Sequence, residues 1–309
     1  MSSQHMSIPY FSVVIPTFNR ADKLAVTVQS VLDQSFKDFE LLVMDDGSTD
    51  HTRTVVSSFS DPRVKYDLEV NSGGPATPRN RGIEAAAAPW ICFLDADDIW
   101  YPNRLSELAQ AIAQNLESDV FCHDEVLHMV GAKEKTRLRY GPFEEDFYRV
   151  MLTQGNRLST SAVTVRADFL NRHKLRFNQA KDYVIVEDYD LWLRLANEGA
   201  RFTFISKPLG EYIIENDNIS LATGKARYNE QGLLKDHVYL IQQFEPDKDK
   251  LWRQIRLRLD IEVGRELLGQ GSIVSGLRML SGAVIAQPLQ TLKILATKFH
   301  YKLIMARLS

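Results

Sequence analysis

The chain has 309 residues, enough for one large domain or a domain with a smaller appendage. At 44% hydrophobic and 25% charged it has the composition of an ordinary soluble protein, and a formal net charge of −3 argues against nucleic acid as the main partner; any bound anion must be met by a local site. No apolar run approaches the roughly 18–20 residues that cross a bilayer, and the opening MSSQHMSIPY lacks the basic and apolar regions of a signal peptide, so a cytoplasmic location is expected.

Residues 1–7 are left outside the fold. FSVVIPTF (11–18) is apolar and β-branched, then breaks at Asn19; from Asp22 the positions Leu24, Val28, Val31 and Leu32 share one helical face. FELLVMDDGSTD repeats the pattern, a strand closing in acidic turn residues, followed by a short helix near 50–59 and a strand at RVKYDL. PATPRNRGIEAAAAPWICFLDADD gives helix and strand again. Cys92 and Cys122 each fall inside an expected strand, which suits buried free thiols better than a disulfide or a metal site. A helix at YPNRLSELAQAIAQNL, a strand at DVFCHDEVLHMV, a helix at EEDFYRVMLTQG, a strand at STSAVTVR, a helix over 187–200 and a short strand RFTFIS follow. From about 226 the pattern is helical, with Gly269, Gly271, Gly276 and Pro288 as expected breaks. Alternating strands and helices predict an α/β fold with a parallel sheet covered on both faces. Ligands in such sheets bind at the carboxyl ends of the strands, where Asn19, Arg20, Asp45, Asp46, Asp95, Asp97 and Asp98 would converge.

Each polar cluster has a plain reading beside a chemical one. In FLDADDIW, Asp97 and Asp98 could cap the helix beginning near Pro102, or Asp95 and Asp97 could hold a divalent cation, which prefers oxygen ligands. Three acids at a buried strand end repel one another without a cation nearby. In DDGSTD the turn and a cap at Asp50 explain the second half and leave Asp45 and Asp46 as free acceptors. NSGGPATPRNRG offers close backbone approach plus Arg79 and Arg81, yet lacks the Gly-Lys-Ser/Thr of a P-loop; a loop with solvated arginines is the default. Glu187 and Asp188 could simply favour a helix start. His123 and His128 do not match a usual zinc spacing.

PTFNR, DDGSTD, PRNRG before FLDADDIWYPNRL, and then EDYDLWLRL resemble in order and spacing the inverting family 2 glycosyltransferases of the GT-A fold, over residues 10–220 or so. The resemblance implies a GT-A domain over 8–225, with a Rossmann-like nucleotide-sugar half (8–100) and an acceptor half (101–225), and a C-terminal helical region over 226–309. It implies that Pro16, Thr17 and Phe18 border the base of a nucleotide-diphosphate sugar and that Asp46 accepts from the base N–H. Arg79 would lie on the nucleotide side, Asp95 would contact the ribose or the metal shell, and Asp97 would ligate Mn2+ or Mg2+ on the diphosphate. Asp188 matches the family's catalytic base, with Glu187 as support, and Trp192 either packs beneath a sugar or joins the core. Donor and acceptor are then a nucleotide sugar, with UDP the commonest nucleotide, and a carbohydrate or lipid-linked hydroxyl.

Two departures stand out. A Q-x-x-R-W-like motif and membrane spans are absent from this sequence, favouring single addition, and the family's Tyr-Arg-x-His before Asn-x-Ser reads here as Tyr212, Ile213, Ile214, Glu215, then Asn218, Ile219, Ser220. No Asp or Glu follows Glu266, whereas Arg278, Lys293, Lys298, Lys302 and Arg307 do. The segment 287–309 is expected either to pack on the catalytic domain with a solvated basic face or to rest on anionic lipid as a peripheral contact. A non-catalytic sugar-nucleotide binder and a sugar nucleotidyltransferase are the competing readings; the latter needs a Gly- and Arg-rich loop that PTFNRADK lacks.

Overall fold

The structure is a computed structural model that describes residues 8–131, 134–214, 223–286, 288 and 291. It holds two compact units: one runs to Tyr148 and from Asn156 to Leu233, the other contains Arg149–Gly155 and continues from Leu234.

The first unit is built on a mixed sheet. β1 (Phe11–Thr17) and β2 (Phe39–Asp45) are buried along their whole length, as their unbroken apolar runs require when both faces are covered. With β3 (Val64–Leu68) and β4 (Trp90–Phe93) they form a parallel half-sheet in the order β3-β2-β1-β4. Crossover helices α1 (Ala21–Leu32), α2 (Thr52–Ser57) and α3 (Ala76–Ala85) join them. Gly82 in α3 lets that helix sit directly on β1, since a Cβ there would stand 2.2 Å from Val14 Cγ1.

The expectation of a parallel sheet fails beyond β4. β8 (Val163–Arg166) pairs antiparallel with both β4 and β6 (Val120–Met129), β9 (Phe202–Ile214) runs parallel to β6, and β5 (Ile99–Trp100) closes the edge antiparallel to β9. β7 (Thr136–Leu138) hangs on β6. The physical consequence is local. An antiparallel neighbour starts where its partner ends, so the 3-10 turn Thr160–Ala162 that leads into β8 lies against the segment leaving β4. There Ser161 Oγ accepts from the Asp95 N–H, and the Ser161 carbonyl accepts from Trp100 Nε1.

Between β5 and α9 the α-helices are α4 (Arg104–Gln114), α5 (Phe147–Gln154), α6 (Ala167–Arg172), α7 (Glu187–Asn197) and α8 (Thr223–Asp236). Cys92 and Cys122 are buried free thiols. In the second unit α9 (Lys248–Gly269) is followed, across Gly271 at φ +80°, by α10 (Ile273–Ala286). Gly276 does not break a helix as expected: it lies inside α10 and permits close approach to α9. Residues 287–309, apart from 288 and 291, lie outside the described residues, as do Glu215 and Asn218–Ser220.

Candidate active site

The carboxyl ends of β1, β2 and β4 open into a cleft of about 710 Å³. Its first wall comes from Pro16, Thr17 and Phe18 at the end of β1, and from Asp46 just past β2. Phe18 is 46% exposed, an aromatic face open to the cleft. Thr17 Oγ1 is buried and has no hydrogen-bond partner. Asn19, at φ 51°, ties the β1 loop to the β2 loop: its N–H donates to Ser48 Oγ and its Oδ1 accepts from the Thr49 N–H.

The two acids that follow β2 part company. Asp45 is spent on structure, accepting from the Ser48 N–H at 2.8 Å and from the Tyr66 hydroxyl at 2.5 Å. Asp46 lines the cleft and is steadied by the Ser72 N–H and hydroxyl, both 3.0 Å from Oδ2. Asp50 accepts from the Thr52 and Ala21 N–H groups and so pins the starts of two helices.

The acids beyond β4 also divide. Asp98 neither caps α4 nor faces the cleft. It is 1% exposed, with Ser161 Oγ donating to Oδ2 at 2.5 Å and the Ile213 N–H to Oδ1 at 2.9 Å. Burial, with Glu125 and its neighbouring acids, drives its pKa well above the ordinary value. α4 begins instead at Asn103, whose side chain makes no capping bond. Asp95 and Asp97 both line the cleft. Asp97 is pushed up to about 6 by burial and then by the charge of Asp95, with Arg20 and Lys23 opposing. A pair of mutually repelling carboxylates offering only oxygen donors fits a hard divalent cation. Asp95 and Asp97 would hold it, the rest of its shell coming from ligand oxygens and water.

Arg79 is not a solvated loop arginine. It lies in α3, 4% exposed, donating through Nη1 to Glu187 Oε1 and through Nη2 to Asp95 Oδ1, each at 2.6 Å. Its guanidinium stacks 5.2 Å from the Phe177 ring centre, and the two carboxylates hold its pKa above the usual arginine value despite burial. One buried cation thus links the acid after β4 to the first turn of α7. Asp188, next on that turn, accepts from the Tyr189 N–H at 2.6 Å and from Thr160 Oγ1 at 3.2 Å. Its pKa is pushed up to about 7, chiefly by burial, then by the Glu187 charge, with Arg79 pulling down. A carboxylate at that value can take a proton near neutral pH. Glu187 Oε2 is buried without a partner. Among the described residues no group of three or more His, Cys, Asp or Glu could hold a metal by itself.

The model of glycosyl transferase family 2 matches residues 12–170. The chain belongs to this family. It is 29% identical over 187 residues, 60% of its own length and 70% of the relative's, to the UDP-Glc:alpha-D-GlcNAc-diphosphoundecaprenol beta-1,3-glucosyltransferase WfgD of Escherichia coli. The fold is similar to S. aureus TarS 1-349 in complex with UDP-GlcNAc, with TM-score 0.65 and 21% identity over 91% of this chain and 82% of that one. It is also similar to the mannosyltransferase PcManGT of Pyrobaculum calidifontis in complex with GDP-Man and Mn2+, with TM-score 0.60 and 17% identity over 96% and 81% of the two chains. The fold is GT-A and the protein is a glycosyltransferase.

Every site residue read from the glycosyltransferase sequence lies on this one cleft: Pro16, Thr17, Phe18, Asp46, Arg79, Asp95, Asp97 and Asp188. Trp192 does not reach a sugar. It is fully buried, with the Phe93 and Phe177 rings 6.3 and 6.0 Å away, because α7 turns that face to the core. His123 is buried with Nδ1 at the Asp124 carbonyl, and His128 pairs with Glu211. Tyr212, the one residue kept from the family's Tyr-Arg-x-His motif, also lines the cleft, whereas sequence reasoning missed Tyr140, Asn156, Leu158, Thr160 and Ile185 there. Only the β8 reversal brings Thr160 there, and no local pattern announces it. Ile185 holds φ 81°, a strained value for a β-branched residue, immediately ahead of α7. Tyr140 donates to the fully buried Glu125, itself raised to about 7 by burial.

Proposed function

We propose that the protein is a metal-dependent, inverting glycosyltransferase that moves one sugar from a nucleotide-diphosphate sugar, a UDP-sugar by preference, to a hydroxyl of a carbohydrate or lipid-linked acceptor. The observation that carries this reading is the sharing of one cleft by Asp46, the Asp95–Asp97 pair and Asp188. The relatives support the substrate classes: the E. coli enzyme is named for UDP-Glc and a diphosphoundecaprenol acceptor, and the two structural neighbours carry UDP-GlcNAc and GDP-Man with Mn2+.

In this reading Phe18 offers its exposed face to the base, Pro16 and Thr17 border it, and the carboxylate of Asp46 accepts from its N–H. Asp95 and Asp97 would hold Mn2+ or Mg2+, which when bound would stabilise the negative charge gathering on the departing diphosphate. Arg79 acts as a positioning residue whose two ion pairs fix Asp95 and Glu187 before any ligand arrives. Glu187, buried beside Asp188 and held by Arg79, supports the base. Thr160 and the Tyr189 N–H aim the Asp188 carboxylate. Asp188 takes the proton of the acceptor hydroxyl; that oxygen bonds to the anomeric carbon while the carbon–oxygen bond to the diphosphate breaks on the opposite face and its electron pair leaves with the diphosphate. Attack opposite the leaving group inverts the anomeric configuration.

A thermal-shift screen of nucleotide sugars with and without Mn2+ tests the donor assignment, since a ligand that binds only the folded state raises the melting temperature. A nucleotide-diphosphate sugar should raise it, and more with Mn2+ than without. No shift from any donor, or equal shifts with and without metal, would refute it.

A further inference from the structure

Among the described residues, helix α10 packs chiefly along one side. Gly276 presses against α9: a Cβ there would stand 2.7 Å from Leu268 Cγ and 2.8 Å from the Gly264 carbonyl oxygen. Ala283 shares that side, buried with Leu257 and Ile261, and Leu280 packs against them. The adjoining arc is open to solvent and, apart from Ser281, apolar. Val274 and Ile285 are each 82% exposed, Ile273 60%, Leu277 55% and Val284 38%. At 3.6 residues per turn these side chains fall within about a third of the helix circumference. Large aliphatics gathered this way on one helix exceed the scattered apolar exposure that a soluble surface ordinarily carries.

Charge indicates what covers the arc. α10 contains one cation, the exposed Arg278, and no acid. From Leu267 to the C-terminus the sequence has no Asp or Glu but carries Arg278, Lys293, Lys298, Lys302 and Arg307, in a chain whose formal charge is −3. A second copy docking here about a two-fold axis would set two copies of α10 against each other, each with a cation and no acid to meet it. An anionic bilayer surface attracts it instead. A helix of 14 residues is about 21 Å long, too short for the roughly 30 Å hydrocarbon core, and suits the headgroup boundary.

We propose that α10 is a membrane-docking face, seated by Ile273, Val274, Leu277, Val284 and Ile285 on the surface of a bilayer rich in anionic lipid. The inference stands on the second unit's own surface and not on the active-site reading: a chain that bound vesicles and transferred no sugar would leave it intact.

Co-sedimentation of the full chain with phosphatidylglycerol/phosphatidylcholine vesicles, and with phosphatidylcholine alone, tests it against the double variant Val274→Asp/Ile285→Asp. Both positions are so exposed that the fold is retained, which an unchanged melting temperature confirms. The expected result is partitioning at least tenfold stronger onto anionic than onto neutral vesicles, and at least a tenfold loss in the double variant. Binding by the double variant equal to wild type, equal binding to neutral vesicles, or no vesicle binding at all would overturn the proposal. A lower particle mass for the double variant in light scattering, measured without vesicles, would assign the face to a second copy and overturn it too.

Discussion

Asp188 combines two demands, burial beside another acid and readiness to accept a proton. Its pKa, pushed up to about 7 by burial and Glu187, means that its ionised form, the one the proposed base needs, becomes scarce below neutrality. With donor, acceptor and metal saturating, the transfer rate should fall close to tenfold per unit as pH drops below about 7 and level off above it. A rate profile flat from pH 5.5 to 8 would remove Asp188 from the role of base. Arg79 makes a complementary prediction. Replacing it by Met leaves Glu187 and Asp95 without their shared counter-charge, one of them fully enclosed, and should cost about 3–5 kcal/mol in denaturant unfolding. A loss under 1 kcal/mol or so would show that the guanidinium is not holding the two acids in place. The acids themselves were legible because a carboxylate after a buried strand is chemically conspicuous. What Arg79 does was not, since an arginine in a Gly-rich stretch reads the same whether it meets solvent, phosphate or, as here, two carboxylates.

At the scale of elements, the junction of α3 and β1 sets how Arg79 enters the cleft. Gly82 is there because the helix backbone rides on Val14, and Gly82→Ala would drive a methyl group to 2.2 Å from Val14 Cγ1. Overpacking of that kind should lower stability by about 1–3 kcal/mol in chemical denaturation and weaken activity by displacing Arg79. Unchanged stability would mean that the helix can shift freely on the sheet. The βαβ half was readable from alternation of apolar strands with 3.6-period helices. The strand at β8 was readable too, but not its direction, because STSAVTVR reads as a strand either way and its antiparallel pairing with β4 depends on contacts distant in sequence. The far wall of the cleft, with Thr160 against Asp188, escaped the sequence for the same reason.

Across the whole molecule, several acids sit above their ordinary values: Asp97 at about 6, Asp188 and Glu125 at about 7, Asp98 well above normal. Between roughly pH 4 and 7 the folded protein keeps protons that the unfolded chain has released, so these groups make stability fall as pH rises through that window. His123, lowered to about 3 by burial and Arg104, acts in the opposite direction as a single group against several. The melting temperature without ligand should therefore be higher at pH 5.5 than at pH 8, and a UDP-sugar with Mn2+ should recover more of it at pH 8. A melting temperature that climbs steadily from pH 5.5 to 8 would contradict this charge balance.

Calorimetric titration of a UDP-sugar in the presence of Mn2+, run on the wild type, Asp97→Ala and Asp188→Asn alongside transfer assays, separates donor binding from proton abstraction most directly. Asp97→Ala should weaken donor binding at least tenfold, whereas Asp188→Asn should bind donor as wild type does and lose transfer by about 10²–10⁴-fold. Equal donor affinity in wild type and Asp97→Ala, or transfer retained by Asp188→Asn, would contradict a cleft that grips the donor through Asp97 and deprotonates the acceptor through Asp188.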